Sequence, residues 1–181
     1  MSLKEYTKES HTAAERTKFM QAVFKGKMTK EIWADWTYQK TLFYGSIEGA
    51  AGACGLINDM PDLRRAFYLY LDFKDMWDSN TTRPDYKPVV VDYHNYILSI
   101  NNDPSRVMAH LYTWHMGDLH GGQMIKKVLP QFPHRNLDFD DVENLKVQIR
   151  TKLDDSMGPE AVVAFEWAMR MMSAYDEVID L

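Results

Sequence analysis

Apolar positions return every three or four residues along most of the chain and seldom alternate, so the pattern predicts helices separated by short breaks. The first helix is predicted over Leu3 to Phe24, with Ala13, Ala14, Phe19, Met20 and Val23 as apolar contacts and Gly26 closing it. Thr29 is placed to cap the next, which runs to about Leu56 and offers Trp33, Trp36, Leu42, Phe43 and Ile47 to a core, while Gly45, Gly49, Gly52 and Gly55 permit close approach of a neighbour. A third helix begins near Pro61, carries Leu63, Phe67, Leu71 and Met76, and ends before Ser79-Asn80. Thr81 to Pro88 has prolines and no period and reads as a loop. Val89 to Val91 looks strand-like alone, but Tyr93, Tyr96, Ile97 and Ile100 behind it make it the start of a helix. Asp103-Pro104 is a cap followed by a first-turn proline and opens a central helix to about Val128. Pro130 and Pro133 end that helix; another follows from about Asp140 to Asp155, and Gly158-Pro159 separates it from a last one over Glu160 to Ile179. The fold class is all-α, a multi-helix bundle over residues 1–181 as a single domain.

One stretch fits this pattern poorly. Met116 to Gln123 reads MGDLHGGQ inside the central helix, and each interior glycine costs about 1 kcal/mol against alanine. On a regular helix Gly117 and Gly121 share a face with Trp114 and Ile125, and Asp118 lies at its edge. Such a face lets a flat ligand touch backbone, and paired glycines also bend a helix; close helix packing explains the glycines alone about equally well. Asp118 favours function, because a carboxylate beside an apolar, side-chain-free face is costly unless it is hydrogen-bonded or working.

Two further groupings extend this. Lys4, Lys8, His11 and Glu15 fall on one stripe of the first helix. Read as surface, they are a solvated face with an incidental histidine; read as a site, His11 binds a metal, Glu15 accepts from its other ring nitrogen and the lysines meet an anion. Lys146 and Arg150, spaced by four on another helix, make a possible four-cation clamp with Lys4 and Lys8, suited to a ligand with two carboxylates. Heme meets these demands: it is flat, carries two propionates and is held through neutral imidazole.

Composition narrows the alternatives. The chain has 181 residues, 45% hydrophobic, enough to bury a sizeable core. Its formal charge of -5 argues against a general nucleic-acid binder, so any anion site is local. The single cysteine, Cys54, excludes an intrachain disulfide and fits a reducing compartment. No signal-like start, no run of 18 apolar residues and no apolar tail after Asp180-Leu181 is present, so a soluble, cytoplasmic protein without a membrane anchor is expected.

The residues also resemble a known family. SLKEYTKESHTAAERTKFM is similar to the proximal helix of heme oxygenases, and HLYTWHMGDLHGGQMIKK to their distal helix, whose signature is commonly YxGDLSGGQ; the likeness continues into KVQIRTKL. The resemblance implies His11 as iron ligand, Gly117, Gly121 and Gly122 as backbone over the heme, and Asp118 as organiser of distal water. It also implies propionate contacts from Lys4, Lys8, Lys146 and Arg150, with Tyr112 near the same edge. The implied reaction is oxidative cleavage of heme b, both cofactor and substrate, at a meso carbon (the α carbon expected) to biliverdin, Fe²⁺ and CO. It uses O₂ and electrons from an external donor, since no flavin or nicotinamide fingerprint is present; ferredoxin is the expected donor, with Lys126, Lys127 and Lys152 as docking charges and a biliverdin reductase downstream. Two departures stand out: His120 occupies the usual serine position and Trp114 stands where many members have arginine. The likeness is to soluble bacterial, cyanobacterial, algal-type and viral forms, with the host cytoplasm as the setting in the last case. Two other readings are a non-catalytic heme carrier or sensor and a thiaminase-like enzyme using Cys54; a di-iron bundle would need Glu-x-x-His pairs, which the sequence lacks.

Overall fold

Side-chain caps open five of the α-helices of the computed structural model, which describes residues 1–181. Ser2 and Glu5 form a reciprocal capping box at the start of α1 (Leu3–Glu15). The helix expected to continue to Phe24 breaks at Arg16–Thr17: the Thr17 hydroxyl donates to Ala14 O at 2.8 Å and accepts from Met20 N, capping a separate α2 (Lys18–Phe24). Gly26, at φ +66°, turns the chain, and Thr29 caps α3 (Lys30–Ala53) through Ile32 N. The helix expected from Pro61 is split into a 3₁₀ turn (Pro61–Leu63) and α4 (Ala66–Met76). α5 (Pro88–Ser99) starts through the valine run, and Asp103 accepts from Arg106 N to open α6 (Pro104–Leu111). α6 passes through a π-helical turn (Tyr112–Met116) into α7 (Gly117–Val128). α8 (Val142–Thr151) is capped by Asp141. α9 (Gly158–Ser173) begins on the Gly-Pro pair that was expected to separate helices, because proline in a first turn has no donor to lose.

α3 is the central element: it packs against α4, α5 and α6, while α1, α2 and α6 pack on α9. Phe43, Tyr44 and Ile47 of α3 are fully buried, in one continuous core with Tyr93, Leu111 and Trp114. Glu48, also on α3, ties three elements with one carboxylate: it accepts from Arg65 N at 2.6 Å and Ala66 N at 3.2 Å at the start of α4, and from His115 Nε2 at 2.9 Å in the π turn. α1 is seated at its N-terminal end, where Leu3 N donates to Asp155 Oδ1 at 2.9 Å and the Tyr6 ring lies on Gly158 so closely that a Cβ there would fall 2.3 Å from a ring carbon.

The π turn overturns one expectation. It inserts an extra residue into the helical path, so faces before and after it are rotated relative to a regular helix. Trp114 therefore points into the core, on Phe43 at 4.6 Å between ring centroids, while Gly117 and Gly121 are exposed; the three do not share a face. The Trp114 indole donates to Tyr93 OH at 3.0 Å. The indole is only a donor, so the Tyr93 hydroxyl turns its proton to His110 Nδ1 at 2.7 Å, and His110 donates from Nε2 to Glu160 at 2.9 Å. Tyr96 OH and Arg106 also donate to Glu160. Burial pushes the His110 imidazole down against the pull of Glu160, in keeping with a neutral ring. Burial of Glu160 opposes its ionisation, but the bonds from His110, Tyr96 and Arg106 together outweigh it and hold the carboxyl at about 2.

Because the folded Glu160 carboxyl lies below its ordinary 4.5, its stabilisation is complete above that pH and is lost as pH falls toward about 2. Glu160→Gln is expected to lower the unfolding free energy at neutral pH by about 2 kcal/mol and to flatten the loss of melting temperature between pH 4.5 and about 2, measured by thermal denaturation across pH.

Candidate functional site between the first and central helices

The three glycines of the central stretch do different work. Gly117 is helical (φ -58°, ψ -46°), and a Cβ added there or at Gly121 would meet nothing within 4 Å, so the outer face of α7 is bare backbone facing open space. Gly122 points the other way, where a Cβ would fall 3.0 Å from Leu137 Cδ2; its small size lets the 3₁₀ turn at Arg135–Leu137 pack against α7.

Asp118 stands at the edge of the bare face with its carboxylate only 9% exposed. Two residues of α3 hold it. Tyr44 OH donates to Oδ2 at 2.6 Å, and Lys40 Nζ lies 3.8 Å from Oδ1 and 4.8 Å from the centroid of the Tyr44 ring. Burial and the neighbouring Asp118 carboxylate push the Tyr44 phenol well above its ordinary value, so it acts as a fixed donor. Neither Lys40 nor Tyr44 was among the residues singled out in the sequence. The available signal was their spacing: Lys40, Tyr44 and Glu48 recur every four residues as one polar stripe on the apolar central helix.

On α1, Lys4, Lys8, His11 and Glu15 are exposed. The His11 side chain is 60% exposed; Nδ1 lies 3.7 Å from Glu15 Oε1 and the ring meets Phe165 edge-on at 5.9 Å, leaving Nε2 free. Neither Lys4 nor Lys8 is in an ion pair. On α8, Lys146 pairs with Glu143 at 2.9 Å, and Arg150 Nη2 approaches His120 Nε2 at 3.4 Å. Partial burial, then Lys146 and Arg150, push the His120 imidazole down, so it faces this pair as a neutral acceptor. Tyr112 is half-buried against the core. No direct bond joins the α1 cations to those of α8. Of the lysines considered for docking, Lys126 pairs with Asp138 and Lys152 with Asp59 at 3.0 Å, whereas Lys127 is exposed and unpaired. The Cys54 thiol donates to Asn101 O at 3.3 Å, with no histidine or acid bonded to it.

An exposed imidazole with a free nitrogen, a side-chain-free helix face and peripheral cations fit a planar iron tetrapyrrole with two carboxylates. Fold and surface together thus define an all-helical protein with a side-chain-free face on α7. The family model described as heme oxygenase matches residues 1–156. Heme oxygenase 2 of Oryctolagus cuniculus is 29% identical over 205 residues, covering 97% of this chain and 65% of the relative, so the chain spans about two thirds of that protein's length. The structure of heme oxygenase from Leptospira interrogans superposes with a TM-score of 0.83 at 26% identity, covering 96% of this chain and 100% of that one. Heme oxygenase-2 from Synechocystis sp. PCC 6803, in complex with heme and NO, does so with a TM-score of 0.86 at 25% identity, covering 97% and 84%. The chain belongs to the heme oxygenase family. No helix is long and apolar enough to cross a membrane.

The bare face makes a prediction that separates folding from binding. Gly117→Ala and Gly121→Ala are each expected to stabilise the heme-free protein by about 0.5–1 kcal/mol, since the helical gain meets no clash, while Gly122→Ala is destabilising. Denaturant unfolding tests this; the first two variants should also weaken heme binding, followed by quenching of tryptophan fluorescence.

Proposed function

We propose that the protein is a heme oxygenase in activity as well as family, cleaving heme b oxidatively at a meso carbon, the α carbon, to biliverdin, Fe²⁺ and CO with O₂ and electrons from an external donor. The single observation that carries this reading is the anchored Asp118 carboxylate at the edge of the open Gly117–Gly121 face. A carrier or sensor would use His11 and the cations but has no need of a fixed acid there. A thiaminase-like reaction lacks support, because the only thiol is bonded to a backbone carbonyl.

When bound, heme supplies both the iron that activates oxygen and the ring that is opened. His11 would hold the iron through its free ring nitrogen, with Glu15 beside Nδ1 to orient the imidazole. Gly117 and Gly121, backed by the close packing at Gly122, bring backbone against the ligand and leave room for a small second reactant. Asp118 keeps a water in place by accepting from it at Oδ1, which turns that water's other proton toward the bare face, while Tyr44 fixes Oδ2. Lys4, Lys8, Lys146 and Arg150, with Tyr112, would receive the propionates and so govern the orientation of the ligand. Residues 1–181 act as one domain, a reading supported by the single continuous core. Ferredoxin is the proposed donor and a biliverdin reductase the proposed consumer of product; the cytoplasm, or a host's cytoplasm for a viral protein, is the proposed setting, supported by the lone cysteine.

The test is a visible spectrum of the heme-loaded protein before and after reductant is added in air. A sharp bound-heme band that gives way to broad biliverdin absorption is expected; a band that persists through reduction and air identifies a carrier. His11→Ala should lose the histidine-ligated spectrum and slow turnover about 100-fold, with added imidazole restoring both in part. An unchanged spectrum would reassign the ligand.

Asp118→Asn keeps the shape of the side chain and removes the charged acceptor that orients the water. Heme affinity should stay within about threefold of the parent while biliverdin formation falls about 100-fold, read by single-turnover absorbance and product chromatography. Turnover at the parent rate in this variant would exclude Asp118 from orienting that water for the reaction.

A further inference from the structure

The Asp118 carboxylate is held by two groups that act differently. Tyr44 spends a full hydrogen bond on Oδ2, at 2.6 Å. Lys40 approaches Oδ1 to 3.8 Å, inside ion-pair range but beyond a hydrogen bond, so it contributes charge and leaves the lone pairs of Oδ1 unspent. Lys40 Nζ also lies over the Tyr44 ring at 4.8 Å, and the side chain is only 12% exposed, so the ammonium has little freedom to seek another partner. No other cation pairs with Asp118. Trp114, whose ring lies 6.0 Å from that of Tyr44, cannot substitute: its one donor is committed to Tyr93.

We infer that Lys40 is the positioning residue of the Asp118 carboxylate, fixing its orientation at the edge of the bare helix face by charge while leaving Oδ1 free to bind water. This rests on the heme oxygenase reading for its consequence in turnover, but not for the geometry. Arginine at position 40 would retain the charge, methionine would keep the length and the apolar stem without it, and glutamine would keep a polar end without charge.

The first measurement uses the heme-free protein. Selective labelling follows the Asp118 carboxyl carbon and the Tyr44 hydroxyl proton by nuclear magnetic resonance. In Lys40→Met the carboxyl signal is expected to leave its parent position and the hydroxyl proton to exchange about tenfold faster, whereas Lys40→Arg keeps both near the parent. The second uses the heme-loaded protein: Lys40→Met should form biliverdin about tenfold more slowly with heme affinity within about threefold, and Lys40→Arg should recover most of the rate. If Lys40→Met does not fold, Lys40→Gln is read for the same signals. Parent-like carboxyl and hydroxyl signals in the uncharged variant overturn the inference, as does a rate loss that Lys40→Arg shares in full. A parent protein that binds heme and releases no biliverdin overturns the functional reading alone, and the heme-free signals still decide the role of Lys40.

Discussion

The extra residue in the α6–α7 path is the constraint on which the site depends. Trp114 and His115 are clamped inside, the first by Phe43 and Tyr93, the second by Glu48. With both anchored, the chain beyond them has one available phase, and that phase turns Gly117 and Gly121 to open space and Asp118 toward α3. A regular helix through the same residues would bring a tryptophan onto the glycine face and fill it.

α3 supplies the counterpart in a single stripe. Lys40, Tyr44 and Glu48 follow one another by a helical turn, and each meets the α6–α7 path at successive points: Lys40 and Tyr44 at Asp118, Glu48 at His115. Charges this enclosed interact strongly, about 4 kcal/mol at 4 Å for an effective dielectric near 20, but desolvation takes back much of that. Such a stripe is therefore better understood as fixing one register between two helices than as a source of net stability. Removing one partner leaves an uncompensated charge, a cost of about 3–5 kcal/mol in comparable buried pairs.

Much of the architecture was legible from local chemistry. Gly26, Thr29 and Asp103-Pro104 punctuate the chain where the sequence indicates, because a left-handed turn or an orphan N–H admits few residue types. The break at Arg16–Thr17 was not, since apolar residues continue across it and only the paired hydrogen bonds of Thr17 end the helix. The π turn left no mark in the periodicity because its cause is tertiary: buried partners on α3 and α5 outweigh the regular repeat. Within the proposed site, the sequence pointed to residues whose type or spacing is unusual in a helix: His11, Asp118 and the glycines. It did not expose Lys40 and Tyr44, whose importance lies in what they touch. Gly122 shows the converse, a motif glycine whose neighbour is Leu137.

The seating of α1 has a mechanical consequence. Its Leu3 and Tyr6 attachments are to Asp155 and Gly158, at the start of α9, whereas Asp118 is fastened to α3. The imidazole of His11 and the carboxylate of Asp118 thus hang from different supports, the first from α9 and the second from α3. Because α1 lies along α9 as far as the contact of His11 with Phe165, a shift of α9 would carry the imidazole with it, while the carboxylate keeps its own fastening to α3.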